Sequence, residues 1–165
     1  MKAKIWCTDC NFVIRDEGEK HFNIYKSEDH KGLNSIFEDV KLFHKTFNHS
    51  VSDKPKELSR DRANKRLHWM NSELTEFDGA KDVVDQADAM IDLIYFAVGT
   101  LVEIGVKPQN LWDIVQNANM AKLWPDGKPH YYEDGKVKKP EGWKDPYPLL
   151  KAEIKRQQGE NVEVK

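Results

Sequence analysis

The chain has 165 residues, 39% of them apolar, with five Trp and seven Phe, which is enough for one domain with a real core and too much for a disordered chain. A net charge of −2 with 33% charged residues describes a wetted surface without an overall bias toward nucleic acid or acidic membranes. No apolar run reaches the roughly 18 residues of a membrane span. The start MKAKIWCTDC lacks the apolar stretch of a signal peptide, and two cysteines make no disulfide framework, so a cytoplasmic protein with no membrane partner is expected.

In chain order, residues 1 to about 30 differ from the rest. KIWCTDCNFVI and HFNIY are β-prone runs around the charged linker RDEGEK, which predicts a short β-hairpin-like extension. Cys7 and Cys10 form half of a zinc-ribbon pattern whose second half is missing, so the pair reads as structural. A first helix starts with Ser35 as N-cap and carries Ile36, Phe37, Val40, Phe43, His44 and Phe47 at helical spacing, ending before Pro55. A second runs from about 59 to 77 and breaks at Gly79. A third, from about 82 to 104, is the expected core element and is ended by Gly105. Pro108 opens a fourth with Leu111, Trp112, Val115 and Met120. A turn-rich loop follows (PDGKP, EDGK, KKPEGWKDPYP), then a short helix near 148–158 and a frayed tail over 159–165. The expected organisation is therefore an N-terminal extension over 1–30 and an all-α domain over 31–158 with a four-helix-bundle type of core.

Charge is segregated along this chain. Eight acids and one base, Lys81, lie between Asn71 and Glu103, whereas six bases and two acids lie between Lys54 and Arg66. On a helical wheel Asp85, Asp88 and Asp92 fall within about 60° of one another, opposite Val83, Val84, Met90, Ile91 and Ile94. From Leu93 to Val98 the helix is apolar all round, which predicts burial and places the acids at the mouth of an enclosed space. Glu73 and Glu76, three apart on the preceding helix, converge on the same volume if the two helices pack antiparallel across Gly79. Oxygen donors without clustered Cys or His suit a hard cation, Mg²⁺ with Mn²⁺ as the alternative. Spacing alone leaves this cage and an ordinary solvated acidic face both open.

The ordered pattern then resembles a known superfamily. Glu73-Leu-Thr-Glu76, the break, Asp85-Gln-Ala-Asp88 and Asp92-Leu-Ile-Tyr-Phe are similar to the ExxE…[ED]xxD motif of the all-α nucleoside triphosphate pyrophosphohydrolases, the MazG-like and phosphoribosyl-ATP pyrophosphohydrolase-like enzymes. RLHWMNSELTEF resembles their entry helix, DQADAMIDLIYFAVGTLVEIGV their second motif helix, and NANMAKLWPDGKPHYYEDGKVKKPEGWKDP the tail of one subgroup. The likeness spans about Ile36 to Pro148. It implies an all-α homodimer or dimer of dimers with the active site inside a four-helix bundle. It also implies cleavage of a (deoxy)nucleoside triphosphate to monophosphate and pyrophosphate, for house-cleaning or control of the dNTP pool. By position Glu73, Glu76, Asp85 and Asp88 become metal ligands, and Asp92 is an alternative or additional one. Two positions depart from the pattern: Ser72 stands where a Glu pair often begins, and Asp85 is shorter than the usual Glu.

The chemistry suits these residues, because phosphoryl transfer needs charge neutralisation and a positioned water rather than a protein nucleophile. Glu76 is the candidate base for that water. Lys122 and Lys128 are candidates for the triphosphate, Asn119 for phosphate or sugar, and Arg66 is a weaker one. Trp69, Tyr95 or Trp124 offers a ring for a base, although packing is the commoner fate of aromatics. The rival reading is a non-catalytic helical bundle that binds or regulates. A stable nucleic-acid partner is not expected, because signs alternate through 54–66.

Overall fold

The structure is a computed structural model that describes residues 5–6, 13–14 and 32–160. Ile5–Trp6 (β1) pairs antiparallel with Val13–Ile14 (β2), with Ile5 opposite Ile14 and Trp6 opposite Val13. The rest of the expected extension, including Cys7 and Cys10, and the end of the expected tail lie outside the described residues. Five helices follow: α1 (Leu33–Thr46), α2 (Arg60–Gly79), α3 (Val83–Ile104), α4 (Gln109–Met120) and α5 (Tyr147–Gln158). None of them is long and apolar enough to cross a membrane.

The chain divides into two compact units. Lys31–Pro108 with Ile154–Asn161 forms one, and Gln109–Glu153 belongs to the other. The expected helical bundle is therefore represented within the first unit by α1, α2 and α3. Its core is Phe37 and Val40 from α1 against Val98 and Val102 from α3, flanked by Ile36, Val51 and Leu101. Each of these large side chains stabilises the fold by about 1.5–3 kcal/mol when taken out of water.

Helix ends follow from local chemistry. Asp82 caps α3, its carboxylate accepting from the backbone N–H groups of Val84 (2.8 Å) and Asp85 (3.0 Å). Gly105 closes α3 in a left-handed conformation (φ +70°), and its missing Cβ is also needed because the Lys54 backbone lies against it. The connection after α1 turns at Asn48 (φ +56°), a residue type that tolerates that conformation, with the His49 N–H on the His44 carbonyl at 2.7 Å. It then runs along the end of α3, where the N–H groups of Ser52 and Lys56 satisfy the Val102 and Ile104 carbonyls at 3.1 and 2.9 Å. Ser35 is not the cap of α1; Gly32 holds that position without a side-chain bond, and Ser35 lies inside the first turn.

The burial expected for α3 needs correction. It is covered continuously only from Val98 onward; Ile91 is 62% exposed, Ile94 49% and Tyr95 39%, and Val83 and Val84 are exposed further back. The core partners of α1 on α3 are Val98, Leu101 and Val102, so α1 leaves the earlier turns of α3 uncovered.

In the second unit, α4 is followed by a loop containing a small hairpin. The Tyr132 N–H meets the Lys136 carbonyl at 2.8 Å and the Lys138 N–H meets the His130 carbonyl at 2.7 Å. Gly135 supplies the positive φ (+81°) that such a three-residue turn requires.

Candidate active site

Helices α2 and α3 run antiparallel, and their contacts step down one helix as they step up the other. Arg62 meets Glu103, Arg66 meets Thr100 and Phe96, and the Trp69 ring stacks on Phe96 at 5.9 Å. One turn further, Glu73 faces the α3 acids. It is the buried member, 7% exposed, whereas Glu76, Asp85, Asp88 and Asp92 are exposed. Burial pushes the Glu73 carboxyl above the ordinary glutamate range, and the negative charge of Glu76 pushes it the same way, with smaller pushes from Asp92 and Asp88. The Ser72 hydroxyl, which lies 3.3 Å from Glu73 Oε1, pulls weakly in the other direction.

Three of the other four proposed ligands thus act on Glu73, Glu76 from its own helix and Asp88 and Asp92 from across the α2–α3 interface. Asp85 stands apart, at the turn, with Oδ2 accepting from the Lys81 N–H at 3.2 Å. By donor type the set fits a hard divalent cation, since it contains only carboxylates. Among the described residues no group of three His, Cys, Asp or Glu side chains is arranged to hold a metal ion.

The remaining candidates are distributed as follows. Asn119 and Lys122 belong to the second unit and bond each other, Lys122 Nζ to Asn119 Oδ1 at 2.8 Å. Lys128 is in the same unit, in a turn where its N–H donates to Asp126 Oδ1 at 2.9 Å. Arg66 is only 4% exposed, and its guanidinium donates to Thr100 Oγ1 (2.9 Å) and the Phe96 carbonyl (2.7 Å) and lies 3.4 Å from Glu103. That makes it part of the packing between α2 and α3 rather than of an open site. Trp69 sits under both Arg62 and Arg66, with guanidinium carbons 5.0 and 5.4 Å from its ring centroid. Trp124 packs on His130 at 4.3 Å, and Tyr95 meets the edge of Phe43 at 5.6 Å while staying 39% exposed.

Sequence reasoning missed the buried ionic cluster that clamps these helices. Glu103, 1% exposed, receives Arg62 Nε and Nη2 at 2.6 Å each. Burial by itself would raise the Glu103 carboxyl, but the Arg62 hydrogen bonds and the charges of Arg66, Arg62 and His44 outweigh it and hold it below the usual range. The signal available was an acid placed within the apolar end of α3.

Comparison with known proteins assigns the chain to a family. The family profile described as phosphoribosyl-ATP pyrophosphohydrolase matches residues 40–119, from the core of α1 to the end of α4. A crystal structure provisionally described as an NTP pyrophosphohydrolase, from Exiguobacterium sp. 255-15, is 35% identical, covering 74% of this chain and 95% of that one. Its superposition gives a TM-score of 0.44, and the assignment rests on the sequence match rather than on that superposition. No curated protein matches the chain. On the family match and the identity along nearly the whole relative, the chain belongs to the all-helical NTP pyrophosphohydrolases, the MazG-like and phosphoribosyl-ATP pyrophosphohydrolase-like superfamily.

Proposed function

We propose that the protein hydrolyses a (deoxy)nucleoside triphosphate to the monophosphate and pyrophosphate, with Mg²⁺ or Mn²⁺ held by Glu73, Glu76, Asp88 and Asp92, and with Asp85 joining from the turn. The observation that carries this is Glu73 itself, a carboxylate buried on α2 beside Glu76 and facing Asp88 and Asp92 of α3, whose charged form is disfavoured first by burial and then by those acids. A divalent cation held among them would offset both costs. When bound, the cation supplies charge neutralisation for the phosphates and a more acidic water.

The protein's own residues account for the rest. Glu76, on the same helix face as Glu73 but exposed, accepts the proton of the attacking water. The water oxygen bonds to phosphorus, the bridge between the α- and β-phosphates breaks, and pyrophosphate leaves with the electron pair. Asn119, Lys122 and Lys128 bind sugar and polyphosphate, while Arg66 is left out because its donors are committed to α3. Tyr95, three residues from Asp92 and still exposed, is the ring best placed to meet the base.

The exposed apolar face of α2 and α3 supports assembly with a second copy. Leu67, Leu74 and Phe77 on α2 and Ile91 and Ile94 on α3 are between 42% and 62% exposed in one chain, apolar surface that a second copy could cover. A homodimer, or a dimer of dimers, would cover this face and enclose the acids, completing the site.

The test is a panel of ordinary and modified nucleoside triphosphates assayed with Mg²⁺ or Mn²⁺ for pyrophosphate release. Release with at least one of them, lost in chelator, is expected. A panel without any release favours the non-catalytic bundle.

A further inference from the structure

The second unit contains a cleft of about 700 Å³ between α4, the 121–146 loop and the start of α5. That volume lies in the roughly 300–1,000 Å³ range of small-molecule sites. Asn110, Asp113 and Asn117 line it from α4, spaced three and four apart and hence on one helix face. A helix normally turns such a polar stripe to water. Here Asp113 is only 8% exposed. One of its oxygens accepts from Gln109 Nε2 at 3.0 Å, and among the described residues no cation neutralises it. The opposite wall mixes apolar residues (Leu123, Pro125, Pro140, Pro146 and Leu149) with charged ones and is tied down by Trp143, whose indole N–H donates to the Ala118 carbonyl at 2.8 Å. The ionisable lining consists of Asp113, Glu141, Asp145 and Glu153 against Lys144, a net charge of −3 from four acids and one base.

We propose that this cleft is a binding site for a small organic cation, an ammonium or guanidinium on an alkyl or aryl body, with Asp113 as its counter-ion and the Trp143 wall as its apolar seat. A buried carboxylate bonded among the described residues by a neutral amide alone is costly, and a ligand that brings a desolvated positive charge with N–H donors relieves that cost. Burial also pushes the Asp113 carboxyl above the ordinary aspartate range, against a smaller pull from Gln109. A bare metal ion suits the cleft poorly, because much of its lining cannot coordinate one. None of its lining residues belongs to α2 or α3, so it stands whether or not those acids catalyse.

Calorimetric titration of the full chain tests this with phenethylamine and agmatine as cations and 2-phenylethanol as the neutral counterpart of the first. Both cations should bind saturably, phenethylamine about tenfold or more tighter than the alcohol, the worth of one charge-assisted hydrogen bond. Asp113→Asn should abolish that preference, and Ala121→Trp, which blocks the cleft at an exposed lining position, should abolish binding altogether. Glu76→Gln and Asp88→Asn should leave the binding unchanged. Equal binding of amine and alcohol overturns the proposal, as does an absence of saturable binding. Loss of binding in the Glu76 and Asp88 variants with retention in Asp113→Asn and Ala121→Trp would move the cation to the α3 acids and overturn it too.

Discussion

The guanidinium of Arg66 fills the space that a side chain on Gly99 would occupy. A Cβ there would collide with Arg66 Nη2 and come within 2.9 Å of His44 Nε2. Gly99 sits mid-helix, where glycine costs about 1 kcal/mol relative to alanine, and the close approach of the arginine is what offsets that cost. Gly99→Ala should therefore destabilise rather than stabilise the protein, by about 1–3 kcal/mol, the usual range for overpacking. Thermal unfolding followed by circular dichroism reads this directly, and an unchanged or raised Tm would contradict it.

The cluster around Glu103 makes a prediction about acid. Glu103 is held below its ordinary 4.5, so its stabilising contribution is fully present above that value and is lost as pH falls through the lower folded value. His44 is shifted down from 6.5, chiefly by burial and also by Arg66, against a pull upward from the Ser50 carbonyl at 2.8 Å. The fold thus prefers His44 neutral, and stability begins to fall as pH drops below 6.5 toward its lower folded value. Two successive losses are expected in urea midpoints, one below 6.5 and a second below 4.5. Glu103→Gln should remove the second, at a cost of about 3–5 kcal/mol at neutral pH because Arg62 and Arg66 lose a buried counter-charge. Identical acid profiles for Glu103→Gln and the parent would sink this account.

The acids of the candidate site should separate by role. Glu73→Gln removes a buried charge that its neighbours oppose, so without metal the variant should melt higher than the parent. It should also lose the stabilisation that Mg²⁺ gives the parent. Glu76→Gln should keep much of the Mg²⁺ effect on melting while turnover falls by roughly 10²–10⁴-fold, the usual loss on removing a general base. Asp85→Asn should have the mildest effect on Mg²⁺ binding, since its carboxylate serves the α2–α3 turn. Melting curves with and without Mg²⁺, beside a pyrophosphate assay, give the ranking. A Glu73→Gln variant that melts lower and still responds fully to Mg²⁺ would remove Glu73 from the site.

What the sequence disclosed, and what it hid, follows from the range of the forces involved. Gly105 as a terminator and the break near Gly79 depend on a few neighbouring residues, and both were legible. The convergence of Glu73 with Asp88 and Asp92 was legible because an antiparallel pair joined by a short turn leaves little choice of register. The pairing of Arg62 with Glu103 was not, since the partners are 41 residues apart and many other charge pairings satisfied the same composition. Ser35 failed as a cap because glycine at position 32 already provides an extended backbone that starts the helix three residues earlier. The burial of Ile91 and Ile94 was misjudged for a different reason: an apolar stripe has the same appearance whether it packs on its own chain or on another.

That last ambiguity yields the sharpest prediction about assembly. Ile91 and Ile94 lie three apart on α3, 62% and 49% exposed, and Leu74 and Phe77 on α2 are 48% and 42% exposed. If a second copy covers them, Ile94→Lys buries an unpaired ammonium at the contact and should convert the dimer to monomer, as measured by light scattering after size-exclusion chromatography. Folding of the separate chain should survive, because the core partners Phe37, Val40, Val98 and Val102 are untouched. Turnover should fall together with the dimer, since the acids of α2 and α3 stay open to water in one chain. Adding protein should restore both, with activity tracking dimer fraction. A parent chain that is monomeric at every concentration, or an Ile94→Lys variant that is monomeric and fully active, would show that one chain builds the whole site.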